Sequence, residues 1–436
     1  MRTRQPMSQS ADTACMPGQR PRVLWVSESP RLHTGMGRVA SEVIAGLTSA
    51  GSCEMAVLGW GWWKELPEDR AGRAALFAPG SRPWARDRID EVIHDFGPDI
   101  VVTSGPALAV RVGAQLNTRP FVTWVGHVTF EAAPVPPAAL AGIRQMDHVV
   151  VPSQWCRNVL KEAGLEHDVR VIPHGVDLSV FHPLPNREEI RQEAGLSGRF
   201  VVGCVARNEF RKQLPVLVKA FARLARECPE AVLYLHTDPA EGSWPMRLLT
   251  QRYGVSSRTA FTRGLNGPVG IDSHLLNRIY NLFDVLVLPT MGEAFGLPLL
   301  EAMAAGVPVI ATDCSAVAEL VQGRGELAKV SEWLTMNWDG SEYAIADAAD
   351  IAGKLAKLRA SPDLRREYSE RGLAFARETT WDRSVEQWAQ AVDGIWRAQR
   401  RAVDARRLSL RTFQLPEAKR ERDMGQIVEI PAENGA

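Results

Sequence analysis

A chain of 436 residues, 45% hydrophobic and 23% charged, is sized for two ordinary domains and composed like a globular protein. Lys+Arg and Asp+Glu balance at 51 each, so no global field draws it to nucleic acid or anionic lipid, though a local patch stays compatible with that sum. The six cysteines (Cys15, Cys53, Cys156, Cys204, Cys228, Cys314) have neither zinc-site nor disulfide-framework spacing and suit reduced thiols.

Residues 1–20 are polar, carry Pro6 and Pro17, and lack an apolar central segment; they read as a disordered lead-in and not as a signal peptide. No apolar run reaches the roughly 18 residues of a membrane span. The expectation is a cytoplasmic protein, with peripheral membrane contact left open. From Arg22 the text VLWVSES, GRVASEVIAGLTSAG, EMAVLGW, RIDEVIHDFG, PDIVVTS, FVTWVGHV and MDHVVVPS alternates apolar strands with amphipathic helices. That alternation predicts a parallel sheet covered on both faces, and residues 21–185 form a first Rossmann-like domain. Turn residues and prolines in VIPHGVDLSVFHPLP mark the join. A second set, from RFVVGCVAR through AVLYLHT and FDVLVLP to VPVIATD, predicts a second Rossmann-like domain over 186–380. Residues 381–402, with Val385, Trp388, Val392 and Trp396 on one face, predict an amphipathic helix. Residues 403–436 read as a loosely ordered tail whose Arg406, Arg407 and Arg411 are either solvated or in contact with acidic lipid or a partner. The fold class expected is α/β: two doubly wound domains facing a central cleft.

Chemistry concentrates in Leu286–Asp313, LVLPTMGEAFGLPLLEAMAAGVPVIATD. A buried strand, a Gly-containing loop and a helix near Leu297 place a helix N-terminus at the carboxyl end of the sheet, where anions bind. Glu293 in the loop and Glu301 one turn into the helix are acceptors suited to sugar or ribose hydroxyls. Arg207 and Lys212, in VARNEFRKQ after the first strand of the second domain, could neutralise a diphosphate. His127 follows an apolar strand at a loop facing the cleft. Trp60–Trp63 suits either sugar stacking or plain packing. The segment Gly35-Met36-Gly37-Arg38-Val39-Ala40 fits a dinucleotide fingerprint, but Ser29–Thr34 intervene after the strand and AVLGWGWW lacks the acidic partner for a ribose.

Together, E-A-F-G-L-P-L-L-E-A-M-A-A-G-V-P-V-I and R-N-E-F-R-K closely resemble the retaining GT-B glycosyltransferases of family 4 (glycosyltransferase group 1), whose hallmark is two glutamates separated by seven residues. The resemblance extends over about residues 20–400. It implies that Arg207 and Lys212 bind the donor diphosphate, that Glu301 holds the ribose and that Glu293 sits by the donor sugar. It further implies that Ala294, Phe295, Gly296 and Leu297 contact sugar or phosphates through their backbone. Gly35 and Gly37 would face phosphates and acceptor, His127 the transferred sugar. The terminal helix would cross back onto the first domain. LYLHTDP departs from the family's glycine-bearing turn, which leaves the base undefined. The sequence holds no Asp-x-Asp pair, so transfer without metal or other cofactor is expected, from a UDP- or GDP-linked hexose with retention of configuration. The acceptor (glycan, lipid, small metabolite or modified base) is not specified. A sugar-nucleotide epimerase, a phosphorylase and a non-catalytic nucleotide-sugar binder stay open as alternatives.

Overall fold

The computed structural model describes residues 20–61, 74–262, 265, 270–336 and 339–415. The first sheet is built from Arg22–Glu28 (β1), Glu54–Trp60 (β2), Ala75–Phe77 (β3), Ile100–Pro106 (β4), Thr123–Thr129 (β5), His148–Val151 (β6) and Val169–Val171 (β7). All its strands are parallel, in the order β3-β2-β1-β4-β5-β6-β7. The period-two geometry of β1 divides its apolar run between two cores: Val23 and Trp25 face one, Leu24 and Val26 the other. That is why the strand reads as continuously hydrophobic.

The second sheet contains Phe200–Val205 (β8), Ala231–His236 (β9), Thr259–Phe261 (β10), Val285–Leu288 (β11), Val309–Thr312 (β12) and Glu326–Ala328 (β13). These are again parallel, ordered β10-β9-β8-β11-β12-β13. Strand order reverses between β1 and β4 in the first sheet and between β8 and β11 in the second. In open α/β sheets such reversal points are where ligands bind. One element was not legible in the sequence: an antiparallel hairpin of Val330–Thr335 (β14) and Glu342–Ala346 (β15). The Glu342 amide donates to the Ala133 carbonyl at 2.7 Å, so the hairpin ties the second half of the chain to the first.

The C-terminal helix Trp381–Thr412 starts at Thr380, whose hydroxyl accepts from the Arg383 amide. It returns to the first sheet, burying Trp381, Trp388, Ala391 and Val392 beside Val39, Val43 and Leu47 of the Gly35–Ser49 helix. The helix continues ten residues beyond the expected end at 402, which corrects the tail reading for 403–412. The reason is a seven-residue spacing: Val403 and Leu410 are both buried, an apolar stripe hidden among arginines. Arg406 and Arg407 are not solvated either. Arg406 donates to Thr123 Oγ1 at 3.1 Å, and Arg407 donates twice to the buried Asp99 carboxylate, at 2.8 and 2.7 Å. Arg411 does remain exposed.

Replacing Arg407 with alanine strips a buried carboxylate of its guanidinium, leaving it the Arg22 amide. Urea denaturation should register a loss of about 2 kcal/mol, the cost of leaving a buried charged acceptor underpaired; an unchanged midpoint would mean that the pair contributes nothing. Residues 1–19 and 416–436, which include the expected lead-in and most of the expected tail, lie outside the described residues. Among the described residues no helix is long and apolar enough to cross a membrane.

Candidate functional site

Two loops at the second sheet's reversal point are zipped together. The chain leaving β8 makes a single turn, Phe210–Lys212, then passes through Gln213 in the left-handed region (φ 46°). The Gln213 side chain is gripped by β15, donating to Ala344 O at 2.8 Å and accepting from Ala346 N at 3.2 Å. The loop after β11 donates its Met291 amide to Arg211 O at 2.7 Å. These contacts set the buried Glu293 carboxylate against the Lys212 ammonium, with Arg211 at 2.9 Å and Thr290 Oγ1 donating at 3.0 Å. Burial pushes the Glu293 carboxyl up, but Arg211 and Lys212 outweigh it and hold the group at about 2. Burial lowers the Lys212 ammonium despite its partner, whereas neighbouring carboxylates raise the Arg211 guanidinium against the effect of its own burial.

Of the expected cation pair, Lys212 lies buried on Glu293 and Arg207 stands at the rim. Arg207 is exposed and sits 3.7 Å from Glu209, away from the buried centre. The second cation on Glu293 is Arg211, which also lies 3.5 Å from Glu131 of the first half and 3.6 Å from Glu209. Three cations and three carboxylates thus form one network spanning both halves of the chain. Burial raises the Glu131 carboxyl above its usual range.

The Leu297–Ala304 helix begins after Gly296 (φ 107°), carries Pro298 in its first turn and is followed by Gly306 (φ 72°), as the sequence predicts. Pro298 has no amide hydrogen and Leu299 N donates to Gly296 O at 3.0 Å, so the positive helix end beside Glu293 is the backbone leading into Leu297. Glu301 is buried one turn in. Its carboxylate accepts from Tyr280 Oη at 2.7 Å and from Arg38 of the Gly35–Ser49 helix, an ion pair that bridges the two sheets. Burial raises the Glu301 carboxyl against the pull of Arg38. Gly35 stands open at the start of its helix. Gly37, in contrast, is packed against the chain itself: its amide donates to Thr34 Oγ1 at 2.9 Å, and a Cβ there would lie 2.4 Å from Leu32 O. Gly37 shapes the turn at the start of the helix.

His127 lies within β5, two residues before its end and not in a loop after it; it is fully buried, its Nδ1 2.7 Å from Ser104 Oγ. Burial lowers its pKa to about 4, so the imidazole is neutral at pH 7 and orients rather than carries charge. His174 in the connector packs edge-on against it, with ring centroids 5.6 Å apart, and lies 5.1 Å from the Phe295 ring. The Nε2 atoms of both histidines are buried without a partner among the described residues. The two rings belong to a buried aromatic cluster with Trp25, Trp388 and Phe295. Ala294 joins the first half's core and Phe295 the second's. Trp60 packs at the end of β2 against the first core; Trp62 and Trp63 lie outside the described residues.

Sequence reasoning missed Arg211, Arg38, Tyr280, Glu131 and His174. Signals existed for two of them: Arg211 adjoins Lys212, and Arg38 adjoins the Gly-Met-Gly turn. Tyr280 and Glu131 reach the site only through tertiary packing.

Two facing Rossmann-like domains, bridged by a returning C-terminal helix and loaded with this cluster at their reversal points, define the GT-B glycosyltransferase fold. Residues 33–180 match the family model Glycosyltransferase Family 4, and residues 199–358 match Glycosyl transferases group 1. Its two domains are those of glycosyltransferase family 4. Over 258 residues the chain is 30% identical to the lipopolysaccharide core biosynthesis mannosyltransferase LpcC of Rhizobium leguminosarum bv. viciae, covering 58% of this chain and 65% of that protein. It is 33% identical over 236 residues to a GDP-mannose-dependent alpha-(1-6)-phosphatidylinositol monomannoside mannosyltransferase of Mycolicibacterium smegmatis, covering 50% and 57%. The chain thus spans between half and two thirds of the length of these curated relatives. Among solved structures, sucrose-phosphate synthase from Thermosynechococcus elongatus superposes with a TM-score of 0.71 at 20% identity, covering 87% of this chain and 100% of that one, a likeness of fold.

Proposed function

We propose that this protein transfers a hexose from a nucleoside-diphosphate donor to an acceptor hydroxyl with retention of configuration. The observation that carries the reading is the convergence of Lys212, Arg211 and the start of the Leu297–Ala304 helix on Glu293, with Glu301 one turn further along. A diphosphate entering the cleft replaces the Glu293 carboxylate as partner of the two cations, and Arg207 at the rim adds a third. Charge building on the departing diphosphate is then met by fixed positive groups, with no metal required. Glu293, released from Lys212, accepts hydrogen bonds from the donor sugar, and Glu301 accepts from the ribose. Gly35 and the backbone of Ala294–Leu297 line the phosphate and sugar path.

The acceptor oxygen attacks the anomeric carbon on the face the diphosphate leaves. The carbon–phosphate-oxygen bond breaks as the new glycosidic bond forms, and the acceptor proton passes to the departing phosphate oxygen. His127, neutral and buried, positions the sugar. Residues 21–185 serve as the acceptor domain and 186–380 as the donor domain. The names of the two relatives, both mannosyltransferases, favour GDP-mannose as the first donor to test beside UDP-hexoses.

The test is thermal stabilisation by UDP, GDP, ADP and their sugars, since a ligand that binds only the folded state stabilises it by about 2.7 kcal/mol at a hundred times Kd. One nucleotide class should raise the melting temperature, and Glu301→Ala should remove that shift while the unliganded protein stays folded. No shift with any nucleotide would defeat the proposal.

A further inference from the structure

Beside Glu293 the cleft opens into a pocket of about 200 Å³ lined by Glu131 and Trp155 on one side and by Met291, Ser315, Trp333 and Glu342 on the other. It is contiguous with the cluster described above. Ser315 accepts the Glu293 amide at 3.0 Å, and Glu131 shares Arg211 with the Glu293 carboxylate. Ser315 adopts φ 49°, a left-handed conformation that a residue with a Cβ rarely takes and that tends to be kept where function demands it.

The walls are held in place. Trp155 opens the Gln154–Glu162 helix, its amide donating to Glu319 at 2.8 Å and its ring 5.6 Å from that of Phe130. Trp333 lies on β14 directly opposite Ala344, and β15 is in turn fastened to the first half through the Ala133–Glu342 bridge. Despite this fixed backbone the Trp333 side chain is 52% exposed. The exposed indole at the rim of the pocket, with the exposed Glu342 in the same wall, offers one apolar face to a molecule that enters. Glu131 and Glu342 can only accept hydrogen bonds when ionised, so they select hydroxyl donors and repel phosphate or carboxylate. An apolar C–H face rimmed by hydroxyls is the description of a neutral sugar ring, and the pocket holds about one.

We propose that this pocket is the acceptor subsite and that it takes an uncharged sugar ring, stacked on Trp333 and hydrogen-bonded to Glu342 and Glu131. The inference rests on the transferase reading of the neighbouring cluster. It places acceptor recognition on the β14–β15 hairpin as well as on the first domain, and it requires the acceptor to be a glycan or glycoside at the point of attack.

The full chain is titrated with methyl α-mannoside, methyl α-glucoside and methyl α-galactoside, read by saturation-transfer NMR, in the wild type and in Trp333→Ala, Trp333→Phe and Glu342→Gln. Nucleotide melting shifts are measured on the same samples. At least one glycoside should bind the wild type, weaken on the order of tenfold in Trp333→Ala, as expected for an aromatic anchor, and recover in Trp333→Phe, with nucleotide shifts unchanged throughout. Absence of glycoside binding, or equal binding by Trp333→Ala, would overturn the subsite while leaving the donor reading intact if the nucleotide shift persists. Loss of the nucleotide shift in the wild type itself would instead strike the transferase reading.

Discussion

Glu293→Gln should lower the stability of the unliganded protein by about 3 kcal/mol, because it leaves the buried Lys212 without its carboxylate and the half-buried Arg211 with only the more distant Glu131 and Glu209. Nucleotide affinity should be retained or raised, since the mutation removes the anion that competes with a diphosphate for Lys212 and Arg211. Transfer should nevertheless fall on the order of a hundredfold, the cost of a mispositioned sugar. This three-way signature separates a site glutamate from a structural one, whose loss would weaken stability, binding and transfer together. A pH series adds a check. The folded carboxyl is held at about 2 against an ordinary 4.5, so its share of stability is complete above pH 4.5 and fades as the pH falls toward 2. The wild type and Glu293→Gln should therefore differ most in denaturant midpoint at pH 6–7 and approach each other near pH 2. A gap independent of pH would show that the carboxylate charge is not what stabilises the site.

The fold was legible because its signals are local. Apolar strands such as FVVGCV and VLVL, helix starts at Leu297 and Gly35, and the Gly306 helix end are set by neighbours in sequence. Glu293, Glu301 and Lys212 were legible for the same reason, each standing at a strand end or helix start. What escaped was set by packing across the cleft. Arg207 and Arg211 are indistinguishable in R-N-E-F-R-K, and only the turn at Phe210–Lys212 decides that Arg211 goes inward while Arg207 meets Glu209 at the rim. Arg38 reaches Glu301 across 263 residues, a pairing no window of sequence contains. The β14–β15 hairpin was missed because its first strand is nearly all exposed, with no buried alternation to betray it. The last ten residues of the C-terminal helix were missed because three arginines mask two buried aliphatic positions, Val403 and Leu410.

The second large effect should come from a residue with no side chain. Gly292 precedes Glu293, and a Cβ built on it would stand 1.8 Å from the carbonyl oxygen of Glu131, a backbone atom of the other half of the chain. No rotamer change relieves a clash between two backbones, so Gly292→Ala must part the domains at this point. The Arg211–Glu131 pair, the Glu342–Ala133 hydrogen bond at 2.7 Å and the Ser341–Pro134 hydrogen bond at 3.0 Å lie along the same seam and would loosen with it. The groups proposed to hold the diphosphate and ribose sit on the second half except Gly35, so nucleotide binding should survive. What is lost is the approach of the first half to the sugar, and transfer should fall on the order of a hundredfold as the reacting groups move apart by about an ångström or more. Gly353→Ala supplies the control: that glycine lies in the Ala348–Ala360 helix with nothing near its would-be Cβ, and the change should leave the rate alone and stabilise slightly. Small-angle scattering should find Gly292→Ala more open than the wild type, with unaltered far-UV circular dichroism. If Gly292→Ala instead kept the wild-type rate, contact between Glu131 and Gly292 would not belong to the state that reacts, and the closed cleft would have to be formed elsewhere along the domain interface.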